Sequence, residues 1–276
     1  MSQISKHVYR FFIEEAIEGF GLMHAGGTNI YFVGDPDEDM VLVDTGEHYR
    51  DWTQGILEYY EQLGSPKISA ILITHGHGDH IGGSDRLQEA MNCPVRCHPS
   101  LAPRLEKMLG SDAVEKLRSR ELIRTGGGAT LRALFTPGHE IDHTCFYLAQ
   151  DKVMFTGDTV LGGSSSSVRD LSSYMQSLHL LASFQVDKVF PAHGKLVENG
   201  ADYIRHYIDH RQQREKQVVA ALSAGHKEVY AIVDEVYPKN LKRGLKEAAA
   251  RNVRTHLYKL VVEGVVEETE AEYSLI

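Results

Sequence analysis

The segment ITHGHGDHIGG, residues 73–83, puts His75, His77, Asp79 and His80 within six positions. Imidazole nitrogens and carboxylate oxygens are the ligands that zinc and similar first-row divalent ions take. In an extended segment alternate side chains point the same way, so His75, His77 and Asp79 can share one face. A turn of helix beginning near Asp79 would swing His80 round to a second position. Gly76, Gly78, Gly82 and Gly83 are read as permitting the backbone conformations of that turn. A polar loop with incidental histidines would not gather four metal-competent side chains at this spacing.

Comparable arrangements end other apolar runs. Leu134-Phe135-Thr136-Pro137-Gly138 leads to His139, with Asp142 and His143 close behind. Val153-Met154-Phe155-Thr156-Gly157 leads to Asp158, and Val189-Phe190-Pro191-Ala192 leads to His193. Val41-Leu42-Val43 leads to Asp44 in the same way. One histidine after a strand is ordinarily structural. The same form repeated at five strand ends calls for a common site.

The elements that must hold these residues follow from hydrophobic periodicity. Short β-branched or apolar runs predict strands at residues 7–13, 29–33, 40–43, 68–73, 94–97, 130–135, 144–148, 152–155 and 188–190. Helical patterns cover 49–63, 84–91, 101–120 and 168–183, and Ser164–Ser167 reads as a flexible loop. Residues 201–224, 229–236 and 241–262 read as three further helices, followed by a strand-like end at 265–269. Two strand-rich blocks with helices around them predict two packed sheets with helices outside. The helical remainder predicts a winged-helix-like appendage, which divides the chain into residues 1–205 and 206–276.

With these motifs the chain resembles the metallo-β-lactamase superfamily, whose hallmark is HxHxDH followed by three more ligand positions. The resemblance implies an α+β fold, a four-layer αβ/βα sandwich of two mixed sheets with outer helices. It implies two zinc ions, with manganese or iron as alternatives. His75, His77 and His139 would hold one ion, Asp79, His80 and His193 the other, and Asp158 would bridge them. Asp44 would support the site from behind. A metal-bridging hydroxide would be the nucleophile, with Asp79 and His143 as catalytic residues. His143 stands either as a hydrogen-bonding support or as a proton source for the leaving group. An aspartate at position 158 argues against a true β-lactamase, and His77 in place of a glutamate favours zinc over iron. TNIYFVG, LVDTGE, TPGHEIDH, FTGDTVLG and the helical tail look most like the beta-lactamase-like protein 2 group, which implies an endoribonuclease acting on single-stranded RNA.

Composition narrows the choice. The chain has 276 residues, 42% hydrophobic and 24% charged, enough for a full core and ordinary for a globular protein. Its formal net charge of −9 argues against broad non-specific binding of nucleic acid. A basic run, Lys239, Lys242, Arg243, Lys246, Arg251 and Arg254, leaves a local patch open. Three cysteines make no disulfide framework, which points to a reducing compartment. No apolar run is long enough for a membrane span and no import signal is apparent, so a cytoplasmic location is expected, with an organelle as the alternative. The expected activity is hydrolysis of a carboxylic ester, a thioester or another small anionic substrate. RNA cleavage is the alternative, and a non-catalytic metal-binding protein fares worst. Homodimerisation stays open.

Overall fold

The computed structural model describes residues 2–14, 26–269 and 273–275. The chain opens with strands β1 (Gln3–Ser5), β2 (Val8–Ile13), β3 (Thr28–Gly34) and β4 (Asp39–Val43). Helix α1 (Arg50–Gln62) leads to β5 (Lys67–Leu72), the single turn α2 (Gly78–Ile81), α3 (Ser84–Met91) and β6 (Val95–Cys97). Then come α4 (Ala102–Leu109), β7 (Val114–Lys116), β8 (Leu122–Arg124), β9 (Thr130–Phe135), β10 (Thr144–Leu148) and β11 (Val153–Gly157). Helix α5 (Leu171–Ala182) and β12 (Lys188–Pro191) precede α6 (Gly200–Ser223), α7 (Val229–Val236), α8 (Arg243–Val262), β13 (Val266–Glu268) and β14 (Tyr273–Leu275).

Strands β1 to β7 lie in chain order in one sheet, antiparallel up to β4 and parallel from there on. The second sheet runs β12-β11-β10-β9-β8, with only β11 and β12 parallel. Side-chain alternation decides what each face meets. Tyr31, Val33, Val41, Val43 and Leu72 point from the first sheet onto Leu131, Phe146, Leu148, Phe155 and Phe190 of the second. Their neighbours Ile30, Phe32, Met40, Leu42 and Ile71 point the other way, onto Ile56, Leu87, Met91 and Leu105 of the helices. Leu134, Cys145, Met154 and Val189 likewise meet Tyr174, Leu178, Leu181 and Ile204. Helix, sheet, sheet, helix is the expected order of layers. Both faces of each sheet are covered, which is why the central strands read as unbroken apolar runs.

Between the sheets Tyr31 packs on Phe155 and Phe190 at ring separations of 5.1 and 5.7 Å. Its hydroxyl donates to the Pro191 carbonyl at 2.7 Å. Such aromatic pairs add about 0.5–1.5 kcal/mol each beyond their buried area. Here they also fix the end of β12, two residues before His193.

The continuous helix expected over 101–120 does not form. Gly110, at φ 90°, ends α4, and residues 114–116 instead pair in parallel with β6. The sheet edge offers Val114–Lys116 backbone partners that a lone helical turn lacks, so tertiary pairing overrides the local pattern. The edge strands β1 and β8, three residues each, are too short to show periodicity.

Helix α6 runs unbroken through residues 205 and 206. Its first half packs Ile204, Tyr207 and Ile208 on the second sheet's outer layer. Its second half packs Val218 and Leu222 with Ile232, Val253 and Leu257 of α7 and α8. Three helices and the β13–β14 hairpin make up the winged-helix unit. Among the described residues, no helix is long and apolar enough to cross a membrane. Cys93, Cys97 and Cys145 are buried and unpaired, so they serve as small core residues.

Candidate metal centre

All the strand-end residues singled out by type converge at one end of the sandwich. His75 and His77 follow β5, and Asp79 and His80 sit in α2. His139 follows β9, Asp158 follows β11, and His193 follows β12. Ligand atoms of His75, His77, His139 and Asp158 lie within 4.8 Å of one another, as do those of Asp79, His80 and His193. Asp158 connects the groups. Its Oδ2 is 3.5 Å from His139 Nε2 and 3.9 Å from His75 Nε2. Its Oδ1 is 3.6 Å from His80 Nε2 and 3.4 Å from His193 Nε2. His77, with 34% of its side chain exposed, is the most open of the seven and marks the mouth of the site.

Four of the five imidazoles are oriented by what their outward nitrogen meets. His77 presents Nδ1 to the cluster, 3.0 Å from His75 Nε2, and gives Nε2 to Glu140 Oε1 at 2.7 Å. His80 Nδ1 meets Asp44 Oδ2 at 2.8 Å, His139 Nδ1 meets the Ser167 carbonyl at 2.8 Å, and His193 Nδ1 meets Thr28 Oγ1 at 3.0 Å. A proton held on the outward nitrogen leaves the inward lone pair for a cation, and this selects the tautomer a metal needs. Asn29 Nδ2 donates to the carbonyls of Pro191 and Gly194 on either side of His193, at 2.8 and 3.0 Å.

Asp44 lies behind the cluster, against Thr74 and His80. It is buried at φ 62°, and its Oδ1 accepts from the Thr74 amide at 2.8 Å. Asp142 does not join the cluster. His143 is fully buried, and both its nitrogens are engaged within the fold. The Asp158 amide donates to Nε2 at 3.1 Å, so Nδ1 carries the proton and donates to Thr136 Oγ1 at 2.9 Å. Burial, reinforced by the neighbouring histidines, holds His143 well below the usual imidazole range.

The electrostatics call for positive charge. Burial opposes ionisation of Asp79, yet His80 and His193 hold its carboxyl far below the usual range. Burial likewise disfavours a charged His80, but Asp79, Asp44 and Asp158 push it well above the usual imidazole value. Among the described residues, buried His80 Nε2 and Asp158 Oδ1 make no hydrogen bond. Polar atoms so placed are costly unless something else satisfies them. A divalent cation suits this donor set.

The motif's glycines work by a different means from the one expected. None of Gly76, Gly78, Gly82 and Gly83 has a left-handed backbone. What three of them supply is room. A Cβ on Gly82 would lie 2.3 Å from the His48 nitrogen, one on Gly83 2.5 Å from the Thr45 oxygen, and one on Gly76 2.7 Å from Leu101 Cδ1. Gly78 has only ordinary contacts, the nearest being Glu47 Oε2 at 3.6 Å. Gly82→Ala should therefore lower stability by about 1–3 kcal/mol, the range for overpacking, while Gly78→Ala changes it far less. Paired urea titrations check this, and equal effects would refute the packing account.

Sequence reasoning missed Glu140, Thr28, Asn29 and the Ser167 carbonyl. Glu140 adjoins His139, but adjacency does not reveal that it turns to His77. The Ser164–Ser167 run is a loop, as expected, but it is held: Ser166 is buried, and its carbonyl accepts from Arg211 Nη2.

Comparison with known proteins places this geometry. The model of the Metallo-beta-lactamase superfamily matches residues 24–193, and that of the Beta-lactamase associated winged helix domain matches 229–273. The chain is 38% identical over 205 residues to Lactamase-like protein adaB of Aspergillus niger, covering 73% of this chain and 61% of that protein. It is 35% identical over 223 residues to Lactamase-like protein nscB of Arthroderma benhamiae, covering 81% of this chain and 48% of that protein. The matches thus span about half to three fifths of these relatives' lengths. In fold it is similar to a beta-lactamase domain protein from Burkholderia ambifaria, with a TM-score of 0.82 and 19% identity over 100% of this chain and 93% of the other. A metallo-beta-lactamase family protein from Thermus thermophilus gives a TM-score of 0.74 and 22% identity, over 98% and 99%. By its matched family models, its relatives and its fold, the chain belongs to the metallo-beta-lactamase superfamily and carries a beta-lactamase associated winged helix domain at its C-terminal end.

Proposed function

We propose that this site is the dinuclear zinc centre of a hydrolase acting on a carboxylic ester or thioester. His75, His77 and His139 would hold one ion and Asp79, His80 and His193 the other, with Asp158 shared. The observation that carries the reading is the Asp158 carboxylate, one oxygen toward each group of imidazoles. Bound divalent ions supply Lewis acidity and acidify water, so no serine or cysteine nucleophile is needed. The protein's part is to hold the geometry. Glu140, Asp44, Thr28 and the Ser167 carbonyl keep four imidazoles turned inward. Asp79, whose Oδ2 lies 3.0 Å from His193 Nε2, is a ligand of this set that we also assign to orienting the attacking water. His143, with Nε2 on the Asp158 amide, we assign to positioning that residue rather than to protonating the leaving group.

Part of the tail's positive charge is engaged within the fold, which weakens the RNA reading. Lys246 pairs with Asp234, Lys259 pairs with Glu215 and Glu263, and the Arg254 guanidinium lies 5.8 Å from the Tyr230 ring centre. Lys239 and Lys242 precede α8 rather than riding on it, and the Arg243 side chain lies outside the described residues. Lys239, Lys242, Arg251 and Arg254 remain exposed, while the net charge of −9 argues against broad binding of a polyanion. The test is metal analysis of purified protein, then assays on aryl ester, acyl thioester and unstructured RNA. About two equivalents of zinc and chelator-sensitive ester or thioester turnover are expected. Chelator-sensitive RNA cleavage without turnover of the esters would replace this substrate class with the nuclease reading, and metal-free protein with full activity would sink the mechanism.

A further inference from the structure

Arg211 is 3% exposed, on the part of α6 between the sandwich and the winged-helix unit. Among the described residues no carboxylate pairs with it. Its Nη2 instead donates to the Ser166 carbonyl at 2.6 Å, and its guanidinium lies 5.3 Å from the Tyr174 ring centre. Burying a guanidinium is costly without strong partners, so its placement needs a reason beyond surface charge.

The reason lies one residue further along. The Ser167 carbonyl accepts from His139 Nδ1 at 2.8 Å, and Ser166 Oγ donates to the same oxygen at 2.9 Å. Tyr207, one helical turn before Arg211, donates to the Ser164 carbonyl and accepts from the Leu161 amide at 3.0 Å. Tyr174, beneath the guanidinium, donates to the Thr159 carbonyl at 2.5 Å, next to Asp158. The loop after Asp158 is thus tied down by α6 at Leu161, Ser164 and Ser166, and its next carbonyl orients His139. Small serine side chains let Arg211 and His139 reach backbone oxygens that bulkier residues would screen.

We infer that Arg211 is a positioning residue for the metal centre: by fixing the Ser166–Ser167 backbone it holds His139 turned inward, and so couples α6 chiefly to the metal position that His139 would serve. The inference rests on the dinuclear reading above and adds to it a residue outside the ligand set.

The test uses the whole 276-residue chain, stripped of metal by chelator and titrated with zinc and, for its visible absorption, with cobalt(II). Wild type should take up two equivalents. Arg211→Met should bind one equivalent at near wild-type affinity and the other about 10–100-fold more weakly, the usual effect of losing a residue that orients a ligand. Arg211→Lys, which can still reach a carbonyl, should fall between. In a His139→Ala background, Arg211→Met should no longer alter metal affinity. Equal weakening of both equivalents, no weakening, or an undiminished effect in the His139→Ala background would overturn the inference while leaving the dinuclear reading in place. A wild-type protein that binds no metal would remove both.

Discussion

Asp158→Ala is expected to lower kcat on the ester or thioester by at least about a thousandfold, some 4 kcal/mol of transition-state stabilisation, while the fold persists. The carboxylate faces both sets of imidazoles, at 3.4–3.9 Å from four ring nitrogens. Its removal takes away the anionic oxygen offered to each position. Asp158 also lies at a strand end, so alanine removes no core contact between the sheets. Steady-state kinetics, metal analysis and circular dichroism on the same preparation check this. Metal content should fall below two equivalents with an unchanged spectrum. Turnover within tenfold of wild type at full metal content would refute the shared role of this residue.

Asp44 should divide fold from metal binding according to what replaces it. The buried carboxylate accepts from the Thr74 amide and hydroxyl and from His80 Nδ1. Alanine would strand these donors in the interior, at a cost of about 3–5 kcal/mol, and the position is at φ 62°, where alanine is strained. Asparagine tolerates that backbone and its amide oxygen can serve Thr74. Its NH₂ would then face a donor on His80, turning the ring or exchanging its tautomer. Asp44→Asn should therefore keep most of the stability but bind the ion at Asp79, His80 and His193 about 10–100-fold more weakly. Thermal melts of the metal-free proteins and zinc titration separate the two effects. Unchanged zinc affinity in Asp44→Asn would show that the contact does not orient His80.

Much of the site was legible because its grammar is local. His75, His77, Asp79 and His80 fall within six residues, and His139, Asp158 and His193 each follow an apolar run. Such a run buried on both faces becomes a strand, and its end is where a polar side chain can leave the core on rigid support. The layers were legible for the same reason, since long central strands buried on both faces stand out as apolar runs. The edges were not. Val114–Lys116 continues a helical pattern in sequence and becomes a strand because β6 offers it a partner.

By itself, then, the chain determined which side chains could ligate and which strands would carry them, because both depend on residue type and on spacing within a few positions. Only the tertiary structure decided how those candidate ligands are held. Glu140 on His77, the Ser167 carbonyl on His139 and Arg211 behind that carbonyl are contacts between segments brought together by sheet order and helix packing. The glycines of ITHGHGDHIGG make the same point. Their spacing suggested unusual dihedral angles, yet Gly76, Gly82 and Gly83 are needed because Leu101, His48 and Thr45 pack where a Cβ would stand, and no local pattern records a neighbour that arrives only on folding.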